Sequence, residues 1–130
     1  MKLLLDTHVL LWWVSGHRKL SGSLSKQIGA ADNEISVSAA TFWELAIKIR
    51  LGRIRIELDE LRAAIKDDGF TELPVQIAHT LRLLSLPDFH RDPFDRLLIA
   101  QSISEGQRLV TGDEAILAYA GQAGFDPLIA

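Results

Sequence analysis

Four acidic residues stand where a fold of alternating strands and helices would bring carboxylates together. Asp6 and Asp113 each come shortly after an apolar run, and Asp95 lies in the first turn of a segment opened by an Asp-Pro pair. Glu44 differs, because it lies in the middle of a predicted helix on an otherwise apolar stripe. Two carboxylates ~4 Å apart repel each other by about 4 kcal/mol at an effective dielectric of about 20. A cluster of four would therefore destabilise the fold unless cations joined it.

The chemistry that such a cluster supports is hydrolysis of a phosphodiester bond. Oxygen ligands without cysteine or paired histidines favour Mg²⁺ or Mn²⁺ over zinc. Mg²⁺ takes one or two carboxylates and keeps several waters, and a bound cation lowers the pKa of such a water and stabilises the leaving oxyanion. We predict Asp6 and Asp95 as the main metal ligands. Glu44 and Asp113 would complete the site or hold the attacking water.

Each acidic residue also has an ordinary structural explanation. Asp6 and Asp113 can cap helices, and Asp95 lies where the helix dipole favours an anion. Glu44 can pair with Lys48 one turn later. For any single residue these roles are the more common ones, so only the combination of four predicts a site.

The surrounding pattern predicts strands that alternate with helices, and hence an α/β fold with a parallel sheet. The predicted strands cover 2–5, 34–37, 70–75, 108–110 and 125–129. The predicted helices run from Asp6 to Gly16, follow the turn 20–25, and cover 38–51, 58–68, 77–84, 92–105 and a last stretch after Asp113. In such sheets the ligand site lies beyond the carboxyl ends of the strands, where three of the acids are expected.

Length and composition favour one domain over 1–130 in a reducing, cytoplasmic setting. With 130 residues and 48% hydrophobic side chains, the chain suffices for one core. There is no cysteine for a disulfide, and neither a signal peptide nor a membrane span is expected. The formal charge of −3 argues against bulk attraction of nucleic acid, although bound Mg²⁺ would reverse the charge locally.

Four segments of the chain carry a family resemblance. They are LLLDTH at 3–8, SAATFWEL at 38–45, DPFDRLLIAQ at 92–101 and LVTGD at 109–113. Their order and spacing resemble the acidic motifs of the PIN domain family and, within it, of the VapC-type toxins of prokaryotic toxin–antitoxin pairs. The resemblance covers nearly the whole chain, and the segment around Asp92 and Asp95 is its sharpest part.

This resemblance implies a PIN-like three-layer α/β/α fold with a central, mostly parallel sheet of four to five strands. It implies a Mg²⁺-dependent endoribonuclease that forms a homodimer and is inhibited by a small antitoxin protein. The residues that it implicates are the acidic quartet Asp6, Glu44, Asp95 and Asp113 and, near the metal or phosphate, Thr7, Thr111 and Arg96. Some members carry a further acid where this chain has Ala115 or Ile116, so either one or two metals fit the pattern.

Several other residues have two readings each. Four basic residues gather where the Glu44 helix ends and are expected either to contact RNA phosphates or to be solvated charges: Lys48, Arg50, Arg53 and Arg55. Arg96 could instead be a salt-bridge partner. The histidines at 8, 17, 79 and 90 show no ligand spacing and are expected at the surface or at helix caps. The tryptophans at 12, 13 and 43 are expected in the core or at an interface rather than stacked on bases.

Two other functions compete with the nuclease. A non-catalytic PIN-like module would bind RNA or protein without cutting, but the presence of all four acids argues against it. An aspartate phosphatase would use Asp6 as a nucleophile. That class typically carries Asp-x-Asp, whereas the second position here is His8.

Overall fold

The computed structural model describes residues 1–130, and its centre is one five-stranded sheet. The strands are β1 (Lys2–Leu5), β2 (Glu34–Ser38), β3 (Thr71–Leu73), β4 (Arg108–Thr111) and β5 (Leu128–Ile129). All neighbouring strands are parallel, in the order β3-β2-β1-β4-β5. The five predicted strands are confirmed, although β3 and β5 are shorter than the sequence indicated.

Seven α-helices connect and flank the strands. They are α1 (Thr7–Ser15), α2 (Gly22–Gly29), α3 (Ala39–Arg50), α4 (Leu58–Asp67), α5 (Ile77–Arg82), α6 (Pro93–Glu105) and α7 (Glu114–Leu117). Short 3₁₀ turns follow at Leu83–Ser85 and Gln122–Gly124. The helices lie where the sequence predicted them, but the last is only one turn long. None of them combines the length and apolar character needed to cross a membrane.

Alternating side chains of the central strand β1 separate two hydrophobic layers. Leu3 and Leu5 pack into one core cluster with residues of α1, α2 and α4. Leu4 points to the other face and packs with residues of α6 and α7. Because successive side chains of a strand face opposite sides, one run of leucines serves both layers. The predicted three-layer α/β/α arrangement is therefore confirmed.

Local capping fixes the ends of the two helices that follow the acidic motifs. The Asp6 carboxylate accepts a hydrogen bond from the Val9 backbone N–H at 2.7 Å and starts α1. Asp92 caps α6 in the same way, and Pro93 occupies its first turn. At the other end of α6, Gly106 adopts a left-handed conformation with φ 63°, which stops the helix at little steric cost.

The strand order reverses at β1. The chain moves from β1 to β2 and β3 on one side of the sheet, and it then returns to place β4 on the other side of β1. The crevice at the carboxyl ends of β1 and β4 is thus the topological switch point, which is where α/β sheets bind ligands. Asp6 and Asp113 follow these two strands.

Candidate active site

One small polar cavity collects the predicted acidic residues. It has a volume of about 230 Å³ and a single hydrophobic residue in its lining. The lining residues are Asp6, Thr7, His8, Glu44, Lys48, His90, Asp92, Asp95, Asp113 and Ile116. A larger cavity of about 1010 Å³ lies between α1 and the segment that joins α3 to α4, but most of its lining is hydrophobic and none of the four acids reaches it. The smaller cavity is therefore the candidate site.

Asp6 and Asp113 enter this cavity from the ends of β1 and β4. Burial raises the pKa of the Asp6 carboxyl above its usual range, and the nearby charge of Asp113 adds to the rise. Hydrogen bonds from the Thr111 side chain and the Val9 backbone partly offset this effect. Asp113 caps α7 by accepting from the Ala115 N–H at 2.8 Å with one oxygen, which leaves its second oxygen available to a ligand.

Glu44 is the acid that helix α3 contributes. Its residue is only 8% exposed, so its charge requires partners. The Thr7 hydroxyl donates to one carboxylate oxygen at 2.6 Å, and the Lys48 ammonium lies 3.1 Å from the other. The predicted Lys48 partner is present, and Thr7 is a second partner that links α1 to α3.

Asp95 carries the clearest electrostatic signature of the cluster. The pKa of Asp95 is raised to about 6, mainly by burial, and a hydrogen bond with His90 acts in the opposite direction. The charges of Asp92, Asp113 and Glu44 raise the pKa further. Acids from α3, α6 and the end of β4 therefore act on one another electrostatically.

His90 belongs to this cavity, contrary to the expectation of a surface or cap role. Its Nε2 lies 2.8 Å from an Asp95 carboxylate oxygen. His90, Asp92 and Asp95 each offer one ligand atom, and these atoms lie within 4.8 Å of one another. This position could not be predicted from the sequence, because His90 lies in a loop before α6, where no helical or strand period relates it to Asp95. His8 also reaches the cavity, although it is exposed.

Arg96 lies next to Asp95 in sequence but does not line the cavity. Of its two predicted places, the structure shows the salt bridge, with Asp88 at 3.7 Å. The guanidinium also donates at 2.9 Å to the Pro87 carbonyl and to the Tyr119 hydroxyl. Successive residues of an α-helix point ~100° apart, which explains why Asp95 and Arg96 face different surroundings.

The comparisons with known proteins agree with this arrangement. A family model described as PIN domain matches residues 3–122. The chain belongs to the PIN domain family. Among PIN proteins it is 35% identical over 123 residues to Ribonuclease VapC22 of Mycobacterium tuberculosis, a match that covers 90% of this chain and 91% of that protein.

Solved structures share the PIN fold at much lower identity. VapBC2 from Rickettsia felis, solved bound to a DNA fragment from its promoter, matches with a TM-score of 0.72 at 15% identity, covering 100% of this chain and 99% of that one. A toxin–antitoxin complex from Klebsiella pneumoniae matches with a TM-score of 0.61 at 18% identity, covering 92% and 91%. These likenesses confirm the PIN-like fold class.

The remaining predicted residues lie in the cavity, in the interior or at the surface of the PIN domain. Thr7 and Lys48 line the cavity, whereas Thr111 is fully buried behind it. Arg50, Arg53 and Arg55 are exposed and lie outside the cavity. His79 takes part in the cap of α5, as expected of a histidine, but it is completely buried and pairs with Glu105 at 3.0 Å rather than lying at the surface.

The three tryptophans differ from one another in burial. Trp12 and Trp13 are partly buried against the core, and the Trp13 indole donates to Asp68 at 2.9 Å. Trp43 is 60% exposed, so a core position is wrong for this residue. The apolar neighbours of Trp43 in α3 suggested burial, but its side of the helix faces away from the sheet.

The donor atoms of the cavity fit a hard divalent cation. Carboxylate oxygens dominate the lining, and Mg²⁺ prefers such oxygens to nitrogen or sulfur ligands. Asp95 and Asp113 each use only one carboxylate oxygen in hydrogen bonds within the chain. Burial first, and the charges of neighbouring acids second, raise the pKa values of Asp6 and Asp95, and a bound cation would stabilise their charged forms.

Proposed function

We propose that residues 1–130 form a single PIN domain that acts as a Mg²⁺-dependent endoribonuclease and as the toxin of a toxin–antitoxin pair. The observation that carries this proposal is the convergence of four carboxylates, from four separate segments of the chain, on one cavity of about 230 Å³. The name of the relative at 35% identity, a ribonuclease, supports RNA as the substrate. Hydrolysis of a phosphodiester bond is the chemistry that such a site serves.

Asp6 and Asp95 would hold the metal, and Glu44 and Asp113 would complete the site or hold the attacking water. Mn²⁺ is the alternative ion, because it accepts the same oxygen ligands. When bound, the cation supplies an acidified water and neutralises charge on the phosphate. Because the acids lie in four separate segments, the folded chain, rather than any local motif, sets their geometry.

Neighbouring residues keep the proposed ligands in place. Thr7 and Lys48 bind the two oxygens of Glu44, which restricts the rotamer of that side chain. His90 binds one oxygen of Asp95, and the other oxygen makes no hydrogen bond within the chain. Such partners orient metal ligands in proteins and affect metal affinity strongly when they are removed.

The RNA backbone would be held by positive charge beside the cavity. Lys48 lines the cavity itself, and Arg50, Arg53 and Arg55 are exposed close to the end of α3. Contacts of this kind bind phosphate without reading sequence. We propose that these four residues, rather than the net charge of the chain, attract the substrate.

A small antitoxin protein and a second copy of the chain are the proposed protein partners. The two solved relatives, described as a VapBC assembly and a toxin–antitoxin complex, support the antitoxin, and the second copy is the expectation from the family resemblance. A face of α5 and the following turn also exposes large apolar side chains, among them Ile77 and Leu84, the latter at 87%. Exposed apolar patches often mark protein interfaces.

The test is cleavage of end-labelled RNA by the purified protein with Mg²⁺, with chelator, and by site variants. We expect Mg²⁺-dependent cleavage that the chelator abolishes. The cleavage rate should fall at least ~100-fold in Asp6→Asn and Asp95→Asn, because catalysis by a bound metal and its water contributes this much and depends on the ligands. Asp67→Asn is the matched control, since Asp67 is an exposed carboxylate at the end of α4.

Sequencing the RNA ends made by the wild type and by Asp95→Asn separates this activity from a contaminant. Ends that are present with the wild type and with Asp67→Asn, but absent with Asp95→Asn, support the proposal. The same ends from all three proteins would rule the site out. RNA binding without any cleavage would instead favour a non-catalytic module.

A further inference from the structure

Two aromatic rings, one exposed and one half-buried, pack against each other on the two helices that carry Glu44 and Asp95. Trp43 on α3 is 60% exposed, and its ring contacts that of Phe94 on α6. The ring centroids are 4.9 Å apart and the planes meet at 81°, an edge-to-face contact. Neither ring lines the cavity itself.

Each ring belongs to a residue that is adjacent in sequence to one acid of the cluster. Trp43 immediately precedes Glu44, and Phe94 immediately precedes Asp95. Neighbouring Cα atoms are ~3.8 Å apart, so both rings begin within about one residue of a proposed ligand. The pair therefore joins α3 to α6, the two helices that contribute Glu44 and Asp95 to the cavity.

We propose that Trp43, supported by Phe94, is a stacking platform for an unpaired nucleobase next to the phosphate that the acids engage. This inference rests on the proposed nuclease function and assigns a base-binding subsite to it. Every nucleobase has a flat π-face, so an exposed indole binds bases with little regard to sequence. A base can reach such a platform only when it is unstacked from its neighbours, which selects single-stranded or looped RNA.

Phe94 has a specific part in this subsite. Its edge-to-face contact restricts the ring of Trp43 before any substrate arrives. A pre-ordered ring loses less conformational entropy on binding than a free one. On the same helix as Trp43, Lys48 lies at the cavity and would neutralise the phosphate attached to the stacked nucleotide.

A protein contact is the competing use of the same ring. Ile47 and Leu51 continue the exposed side of α3 at four-residue intervals, and Leu51 is as exposed as Trp43. However, this stripe runs along α3 alone, whereas the aromatic pair crosses to α6 at the two residues that adjoin acids. Leu51 is thus a matched control: it is equally exposed on the same stripe but lies two helical turns from Trp43.

The experiment measures KM and kcat for a short RNA whose cleavage site has been mapped, with Mg²⁺ present. In Trp43→Ala we expect KM to rise about 10-fold while kcat changes less than about threefold, since one base stacked on an aromatic ring contributes binding of this order. Trp43→Phe should retain most of the affinity, and Leu51→Ala should match the wild type. Annealing the RNA to its complement should suppress cleavage by the wild type.

A second substrate makes the test specific to the base. The same RNA with an abasic nucleotide beside the cleaved bond should show a raised KM with the wild type and no further rise with Trp43→Ala. Such non-additivity is what a double-mutant cycle reports when two groups touch. An unchanged KM in Trp43→Ala, or equal losses on intact and abasic RNA, would overturn the proposal. A change of oligomeric state in both Trp43→Ala and Leu51→Ala, without a change of KM, would assign the stripe to a protein contact.

Failure of the nuclease proposal would be visible separately. If the wild type cleaves no RNA with Mg²⁺, the proposed function fails. The stacking role of Trp43 is then tested by itself, through the binding of the same labelled single-stranded RNA measured by fluorescence anisotropy. About 10-fold weaker binding by Trp43→Ala than by the wild type and Leu51→Ala would support it. Equal binding by the three proteins, or no binding by the wild type, would refute it.

Discussion

Replacing Asp95 by asparagine should stabilise the metal-free protein while it removes the proposed activity. Asp95 is held in its charged form at neutral pH in a partly desolvated place, beside the charges of Asp92, Asp113 and Glu44. The asparagine side chain has the same shape, and its oxygen can still accept from His90. The substitution therefore removes an unfavourable charge without creating a cavity.

The magnitude follows from the raised pKa. Because the pKa of Asp95 rises from 3.8 to about 6, the folded state holds a proton more tightly than the unfolded state. The stability of the folded protein therefore falls as the pH rises from about 4 through about 6, and this loss is complete at neutral pH. At ~1.36 kcal/mol per pH unit, the full effect is about 3 kcal/mol. The Asp95 side chain is 18% exposed, so solvent screens part of this effect. We therefore expect Asp95→Asn to be more stable than the wild type by ~1 to 2 kcal/mol at pH 7.

Urea unfolding of the wild type and Asp95→Asn, between about pH 4 and 7 and with chelator present, measures this effect. The free-energy difference between the two proteins should be small near pH 4 and should widen as the pH rises, because only the wild type acquires the charge. Adding Mg²⁺ should then stabilise the wild type more than the variant, since a ligand stabilises the state that binds it. A variant that is less stable than the wild type at pH 7 in chelator, or a difference that does not change with pH, would refute the reasoning.

Three other substitutions test residues that hold the site in place or lie near it. Tyr119→Phe removes the buried hydroxyl that accepts hydrogen bonds from the His90 backbone N–H and from Arg96, both at 2.9 Å. Urea unfolding should show a free energy of unfolding lower by about 1 to 3 kcal/mol, and RNA cleavage should show a reduced kcat. Ser38→Ala removes the cap of α3 and the 2.5 Å hydrogen bond to Gln101, and should cost about 1 to 3 kcal/mol in the same unfolding assay. Arg53→Ala should lower the slope of log affinity against log salt for single-stranded RNA by about 0.7 if Arg53 contacts a phosphate, whereas Arg62→Ala should leave the slope unchanged because Arg62 is paired with Glu72.

Much of the fold could be predicted because its signals are local. The apolar run of β1, the Asp-Pro start of α6 and the glycine at its end each specify backbone conformation within a few residues. The weak predictions were those of β3 and β5, the two edge strands. Each pairs with only one neighbour, so its length depends on that partner rather than on its own composition.

The placement of two of the acids could be predicted for a related reason. Asp6 and Asp113 lie at strand ends, and parallel strands bring such ends to one edge of a sheet. The loop that carries His90 was different, because it is held from afar: Tyr119 contacts the His90 backbone across 29 residues of sequence. No periodicity or spacing within the loop encodes that contact.

By itself, the sequence determined the alternation of strands and helices, the caps that delimit them and the types of residue that could bind a cation. Those properties depend on local hydrogen bonding and on the periodicity of apolar side chains. Only the tertiary structure decided that Thr7 holds Glu44, that His90 joins Asp95, that Arg96 faces the loop and that Trp43 stays exposed. Each of these outcomes depends on the distance between elements far apart in the chain, which packing of the whole sheet and its helices sets.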